Sequence, residues 1–254
     1  MTVPNRHRTA AIQKSIETGE RHPLHYFDSR RYVQHNLALG DGLGPLLEFL
    51  DSLPPGTSKV RPLRLFEDGD VSFAHLEYFL QPMGGAVVGF EVHRWENGHI
   101  VEHWDNLQAL PGTSNPSGRT MVDGPTDVTD LERTGSNKRH CEEFVRRVLI
   151  GGDTDAFLDY LAEDLRQHDP DTADGAGQLL AKLAASNDGP SYSTLHHLFG
   201  EGNFCLCICE GLTGGRPCAV YDLFRLHDDL IVEHWNVREP IPPRADWKND
   251  NGKF

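Results

Sequence analysis

Asp222 stands in the run Ala219-Val220-Tyr221-Asp222-Leu223-Phe224-Arg225-Leu226. A carboxylate inside an apolar strand is costly unless it is partnered or neutralised. Strand alternation puts it on one face with Phe224 and Leu226. If that face lines a cavity, desolvation raises its pKa and suits it to proton transfer. The plainer reading is an Asp on the solvent side of a sheet. Asp169 lies in Gln167-His168-Asp169-Pro170, ahead of a helical stretch. Two carboxylates in one cavity can split their pKa values and divide acid and base roles. The alternative for Asp169 is a loop cap that accepts backbone N–H bonds. His168 and His35 carry the side chain that titrates near neutrality. Either could act as base or donor, or tie down a buried loop, and for His35 the loop role is preferred.

His103 and His234 each sit between Glu and Trp in Ile-Val-Glu-His-Trp. If Trp104 and Trp235 face a cavity, those His face away, and Trp offers a rigid apolar wall with one N–H donor. Phe224, Tyr221 and Trp235 are then the candidate walls around Asp222. Glu91 and His75 form a candidate second acid/base pair, or a buried ion pair.

These residues belong to a chain that repeats itself. Gln34-His35-Asn36 matches Gln167-His168-Asp169 at an offset of 133, and Gly40-Asp41-Gly42 matches Ala173-Asp174-Gly175. Further on the offset is 131, where Ile100-Val101-Glu102-His103-Trp104-Asp105 meets Ile231-Val232-Glu233-His234-Trp235-Asn236. A two-residue change between matched blocks falls in a hairpin loop, where length costs little. On this register Glu91 stands where Asp222 stands, Asn36 where Asp169 stands and His75 where Ile208 stands. The second copy, with both Asp residues, is the preferred reactive one. Residues 110–136 are rich in Pro, Gly, Ser, Thr and Asp and lack periodicity. The expected organisation is a first unit over 1–120, a linker over 121–136 and a second unit over 137–254.

In the second copy, helical spacing covers 137–150, 154–163 and 177–185, with a short extended piece at 166–169. Strands follow at about 193–199, 203–210, 218–226 and 230–238. Helices followed by an antiparallel meander make an α+β unit, a curved sheet wrapped around helices to form a cone with an apolar cavity. The expected fold is two such units in tandem.

The chain has 254 residues, with 24 Lys+Arg against 38 Asp+Glu, a net charge of −14. That balance argues against nucleic acid and against anionic membrane surfaces as partners. No apolar run approaches the roughly 20 residues of a spanning helix. Three of the five Cys, at 205, 207 and 209, alternate along a strand and read as free packing thiols in a reducing cytoplasm. Their spacing is not that of structural zinc. His196-His197 point to opposite faces, and Gly151-Gly152-Asp153-Thr154-Asp155 lacks the Lys of a phosphate loop. No metal, nucleotide or flavin is expected.

Gln34-His35-Asn36 with Asp41-Gly42 beyond it, Gly200-Glu201-Gly202-Asn203, Tyr221-Asp222-Leu223-Phe224-Arg225 and the Ile-Val-Glu-His-Trp strands resemble the SnoaL-like polyketide-cyclase group of the nuclear-transport-factor-2-like superfamily. The resemblance covers both repeats, the linker and the tail, and looks like the tandem members described as aldol-condensation enzymes. It implies an acid/base Asp at Asp222. Asp169, in its Asp-Pro step, is similar in position to the general base of ketosteroid isomerase, although the group more often carries Asn there, as at Asn36. It further implies a cofactor-free acid/base enzyme acting on a small apolar carbonyl compound, by aldol cyclisation, isomerisation or dehydration. The alternative is a binding module that uses the same cavity without chemistry. Single-unit relatives commonly pair through their sheets, which implies an intramolecular pseudo-dimer with the Cys stripe near its seam and leaves further oligomerisation open.

Overall fold

The computed structural model describes residues 3–54, 56–80, 84–185 and 190–254. The chain forms two compact units, Met1–Leu110 with Pro242–Phe254, and Pro111–Ile241. Each holds a five-stranded mixed sheet with helices. Among the described residues, no helix is long and apolar enough to cross a membrane.

In the first unit, α1 (Asn5–Thr18), β1 (Val33–Gln34) and α2 (Leu43–Ser52) precede a meander of β2 (Lys59–Asp68), β3 (Val71–Leu80), β4 (Gly85–Glu96) and β5 (His99–Ala109). The strand order is β1-β5-β4-β3-β2, with only β1 parallel to its neighbour. The buried face of α1 carries Thr9, Ile12, Gln13 and Ser15, so it is partly polar. Four helix residues advance about 6 Å, close to the advance of two strand residues. Thr9 and Gln13 therefore meet His93 and Glu91, two residues apart on β4.

The second unit repeats the plan. α3 (Thr134–Glu143) widens into a π-type turn over Phe144–Ile150, and then come β6 (Leu161–Gln167) and α4 (Ala176–Ala184). β7 (Ser191–Glu201), β8 (Phe204–Thr213), β9 (Arg216–His227) and β10 (Leu230–Pro240) form the meander, ordered β6-β10-β9-β8-β7. The helix expected over 154–163 is instead a short 3-10 turn, Thr154–Asp159, capped by the Asp153 carboxylate, followed by strand. Leu161 and Leu165, four apart, satisfy either period. The open edge of β10 takes the segment as a parallel strand.

All five cysteines are buried and unbridged. Cys205, Cys207 and Cys209 share one core cluster with Cys141, Phe144 and Val148. The stripe thus faces the helices of its own unit, not a seam beyond the sheet. Burial pushes the Cys207 and Cys209 thiols up, which keeps them neutral packing groups.

The stretch expected to be a linker is packed. Asn115 Nδ2 donates to the carbonyl oxygens of Gln167 (2.6 Å) and Thr172 (2.9 Å), Arg119 pairs with Asp174, and Trp235 Nε1 donates to the Asp123 carbonyl (3.0 Å). The tail serves the first unit in the same way. Asn249 Nδ2 donates to the carbonyls of Asn36 and Leu39, and Asn251 Nδ2 to that of Gln34. Asn115 and Gly118 correspond to Asn249 and Gly252 at an offset of 134, and both glycines have positive φ. Each unit is thus completed by an Asn-x-x-Gly strap that follows the other unit's last strand.

The β7–β8 turn is held under the start of α3. Gly202 has φ of 59°, and a Cβ there would lie 2.0 Å from the Thr129 carbonyl oxygen. Gly202→Ala is expected to lower stability by about 1–3 kcal/mol, read as a drop in the urea midpoint at unchanged m-value.

Candidate active site

In the first unit, helices and sheet enclose a cavity of about 320 Å³, near the lower end for small-molecule sites. Its walls are apolar, among them Phe49 and Leu107, and Glu91, His93, His103 and Asp105 gather on one side. β4 and β5 supply that side by parity: Glu91 is cross-strand from Asp105, and His93 from His103.

Glu91 is 7 % exposed and held by three donors. The Tyr78 hydroxyl donates to its Oε1 (2.7 Å), Gln13 Nε2 donates to its Oε2 (3.2 Å), and His103 Nε2 lies 2.7 Å from Oε2. Burial, then the charge of Glu91, pushes the Tyr78 phenol well up, so it remains a donor. Burial alone would lower the His103 pKa. The hydrogen bond and charge of Glu91, with the charge of Asp105, outweigh it, and the imidazole sits above its ordinary value. His93 goes the other way, pushed well down by burial and by its neighbour His103.

The direction of each bond follows from Gln34. Its Nε2 donates to the Tyr32 hydroxyl (2.9 Å), and its Oε1 accepts from the Asn36 backbone N–H (2.9 Å). His103 Nδ1, 2.8 Å from that same oxygen, must carry a proton. Exchange with Glu91 or a ligand is left to Nε2.

The second unit sets the opposite tautomer. Leu165 stands where Tyr32 stands (165 − 133 = 32), so Gln167 Nε2 has no hydroxyl to meet. Gln167 Oε1 accepts from the Asp169 N–H, and Nε2 donates to His234 Nδ1 (3.0 Å). His234 Nε2–H therefore donates to Asp222 Oδ1 (2.8 Å).

The second interior carries charge where the first is apolar. Lys182 stands where Phe49 stands (182 − 133 = 49), and Arg238 where Leu107 stands (238 − 131 = 107). Both cations pair with Asp169, which also accepts from Asn236 Nδ2 (3.0 Å). In the first unit the same two positions hold Asn36 and Asp105, with donor and carboxylate exchanged between strand and loop. Burial would raise the Asp169 pKa, but the charges of Arg238 and Lys182 hold its carboxyl far below the usual carboxylate range.

The sequence candidates thus fall into three groups. Glu91 and Asn36 line the first cavity. Asp222, Asp169 and Phe224 lie together in the second interior, close around Arg238 and His234. His35, His168, Trp104, Trp235, Tyr221 and His75 lie on the sheets' other face. His35 stacks on Trp104 and His168 on Trp235, with centroids 4.9 and 4.4 Å apart. His168 bonds the Thr120 carbonyl and Glu233, and His35 the Gly252 carbonyl and Glu102, so both pin a strap to a sheet. The Trp expectation is therefore corrected: parity gives the interior to His103 and His234 and the outer face to Trp104 and Trp235. The Glu91–His75 pair is corrected for the same reason. Glu91 is cross-strand from Ala74, whereas His75 faces Phe90 and stacks on it at 4.6 Å. Tyr221, beside Asp222 in sequence, takes the opposite face. His93, Gln13 and Tyr78 are the site residues that the sequence did not single out, and His103 is the one it turned outward. The Glu91-Val92-His93 alternation, read across the hairpin to His103, was the signal available.

Residues 141–234 match the family model described as SnoaL-like domain. The chain carries a SnoaL-like domain. The match lies within the second unit, and the first repeats its topology. No curated protein matches the chain. Similar solved structures include an NTF-2 like protein of unknown function from Burkholderia xenovorans LB400, at 18 % identity over 47 % of this chain and 99 % of that one (TM-score 0.39). Others are an LEH-like epoxide hydrolase from M. tuberculosis (18 %, 42 % and 85 %, 0.35) and TsrD from Streptomyces laurentii (22 %, 41 % and 89 %, 0.35). The SnoaL-like unit is the one whose interior is occupied by its own ion pairs.

Asp169→Asn leaves Lys182 and Arg238 buried without their carboxylate, and is expected to cost about 3–5 kcal/mol at neutral pH. The folded pKa of Asp169 is depressed. Its contribution is therefore fully present above the unfolded value near 4, and is lost as pH falls below it toward the folded value. Urea titrations between about pH 6 and 2 should show the gap between wild type and variant narrowing with acid.

Proposed function

We propose that the first unit binds a small, largely apolar carbonyl compound and that Glu91 and His103 move a proton on it. The reaction is a cofactor-free acid/base step of the aldol cyclisation, isomerisation or dehydration class. The observation that carries this reading is the position of the Glu91–His103 contact, 2.7 Å long, against an apolar hollow. A carboxylate there is desolvated yet held by Tyr78 and Gln13, the setting in which proton transfer from carbon is made easier.

The roles follow from the hydrogen bonds. His103 Nδ1–H is fixed on Gln34, so Nε2 is the atom that gives or takes a proton. Glu91 removes the proton next to the carbonyl. The Tyr78 hydroxyl and His103 Nε2–H are the donors within reach of the oxygen on which charge develops. Phe49 and Leu107 supply the apolar contact that the second unit replaces with Lys182 and Arg238. The second reading, a ligand-binding module without chemistry, rests on the same hollow and differs only in its product.

Deuterium wash-in next to the carbonyl of small cyclic ketones, followed by NMR, tests the chemistry without knowing the natural substrate. Glu91→Gln is expected to slow exchange by about 10²–10⁴-fold, and Asp222→Asn to leave it near wild type, both variants remaining folded by circular dichroism. Undiminished exchange in Glu91→Gln, or its loss in Asp222→Asn, would move the site to the second unit. Ketone capture in native mass spectra with no exchange would establish the binding module.

A further inference from the structure

We propose that Glu91, His93 and His103 form a divalent-cation site of the zinc type, with the cavity side left open for water or a ligand oxygen. One donor atom from each of the three buried side chains lies within 4.8 Å of the others. Zinc holds N and O ligands at about 2.0–2.2 Å, so rotations that move these atoms by about an ångström close the set. Three protein ligands and one open position is the arrangement of a reactive zinc centre rather than a structural one.

The surroundings already orient the ligands. A metal-binding His directs its other ring N–H to a fixed acceptor, which leaves the ligating nitrogen free. His103 does so through Nδ1–H to Gln34 Oε1. His93 Nδ1 meets the Thr9 hydroxyl at 3.4 Å, Thr9 meets Ser72 at 2.7 Å, and Trp95 Nε1 donates to Ser72. That hydroxyl chain can accept from His93 Nδ1–H, which frees the other nitrogen. Asp105, also lining the cavity, is paired with the buried Lys253 ammonium at 3.5 Å, so the three ligands themselves carry the site. A bound cation expels the proton between His103 and Glu91, so uptake is accompanied by proton release.

The second unit is an internal comparison. Phe224 stands where His93 stands (224 − 131 = 93), and its ring stacks on His234 at 4.9 Å. Only one carboxylate and one imidazole remain at that place. The cation would occupy the same Glu91 and His103 Nε2 atoms that move the proton in the cofactor-free step, so the site belongs to the loaded chain and that step to the cation-free one. Binding is measured without turnover, so a failure here leaves the proposed reaction standing, and the reverse also holds.

The test is calorimetric titration of the chelator-treated full chain with zinc chloride, and absorption spectroscopy with cobalt chloride. One ion per chain is expected, with a cobalt spectrum of low-coordinate N and O ligands and a raised melting temperature. His93→Phe, the residue carried by the second unit, should weaken binding by more than the roughly 10–100-fold that an outer-shell change costs. Glu91→Gln, nearly isosteric, should do the same while keeping the fold. Replacing the exposed pair His22 and His25 with Ala should leave the site intact. No stoichiometric binding, binding unaltered by His93→Phe, or binding lost with His22 and His25 would each overturn the proposal.

Discussion

The alternation of side chains along the β4–β5 hairpin, and its copy in β9–β10, governs everything else in this protein. One residue of slip would exchange the interior set of Glu91, His93, His103 and Asp105 for Phe90, Val92, Glu102 and Trp104. Two independent devices hold the register. Inside, α1 matches the strand step with Thr9 and Gln13. Outside, His35 is stacked on Trp104 and bonded both to Glu102 and to a strap carbonyl. His35 is therefore a structural bolt that keeps His103 facing the hollow.

The two halves show how one scaffold diverges through a few volume and polarity changes. Phe49 and Leu107 line a hollow, whereas Lys182 and Arg238 put cations at the same positions and need a carboxylate at Asp169 to neutralise them. The exchange of Asn36–Asp105 for Asp169–Asn236 keeps one acid and one amide in each unit while moving the acid toward the cations. Tyr32 against Leu165 turns a glutamine amide and, through it, selects which nitrogen of the inner His bears the proton. None of these substitutions alters the sheet.

Much of the fold was legible in the sequence because duplication shows as matched strings and the meander shows as alternation. The strands at 204–213, 216–227 and 230–240 fall where turn residues and apolar alternation place them. The segment after Asp159 reads as helix or strand alike, because Leu161 and Leu165 fit two periods and the β10 edge decides between them. At the site, the carboxylate positions 91 and 222 could be read from their apolar strands. That the first half has this hollow could not, since its apolar lining draws on residues 49 and 107, far apart in sequence and brought to one cavity only by the fold. The choice between Trp and His as the inward residue needed the absolute phase of the strand, which alternation alone leaves undetermined.

The straps carry a consequence for how the polypeptide matures. β5 ends at Ala109, yet the residues that close the first unit are 242–254, made only after the whole second meander has been synthesised. During translation the N-terminal sheet must therefore wait, with Gln34 and Asn36 lacking their Asn249 and Asn251 partners, while the later half emerges already equipped with its own closing segment at 111–123. The half synthesised last is thus the first that can be completed, and the hollow-bearing half reaches its final form only when the ribosome has passed both.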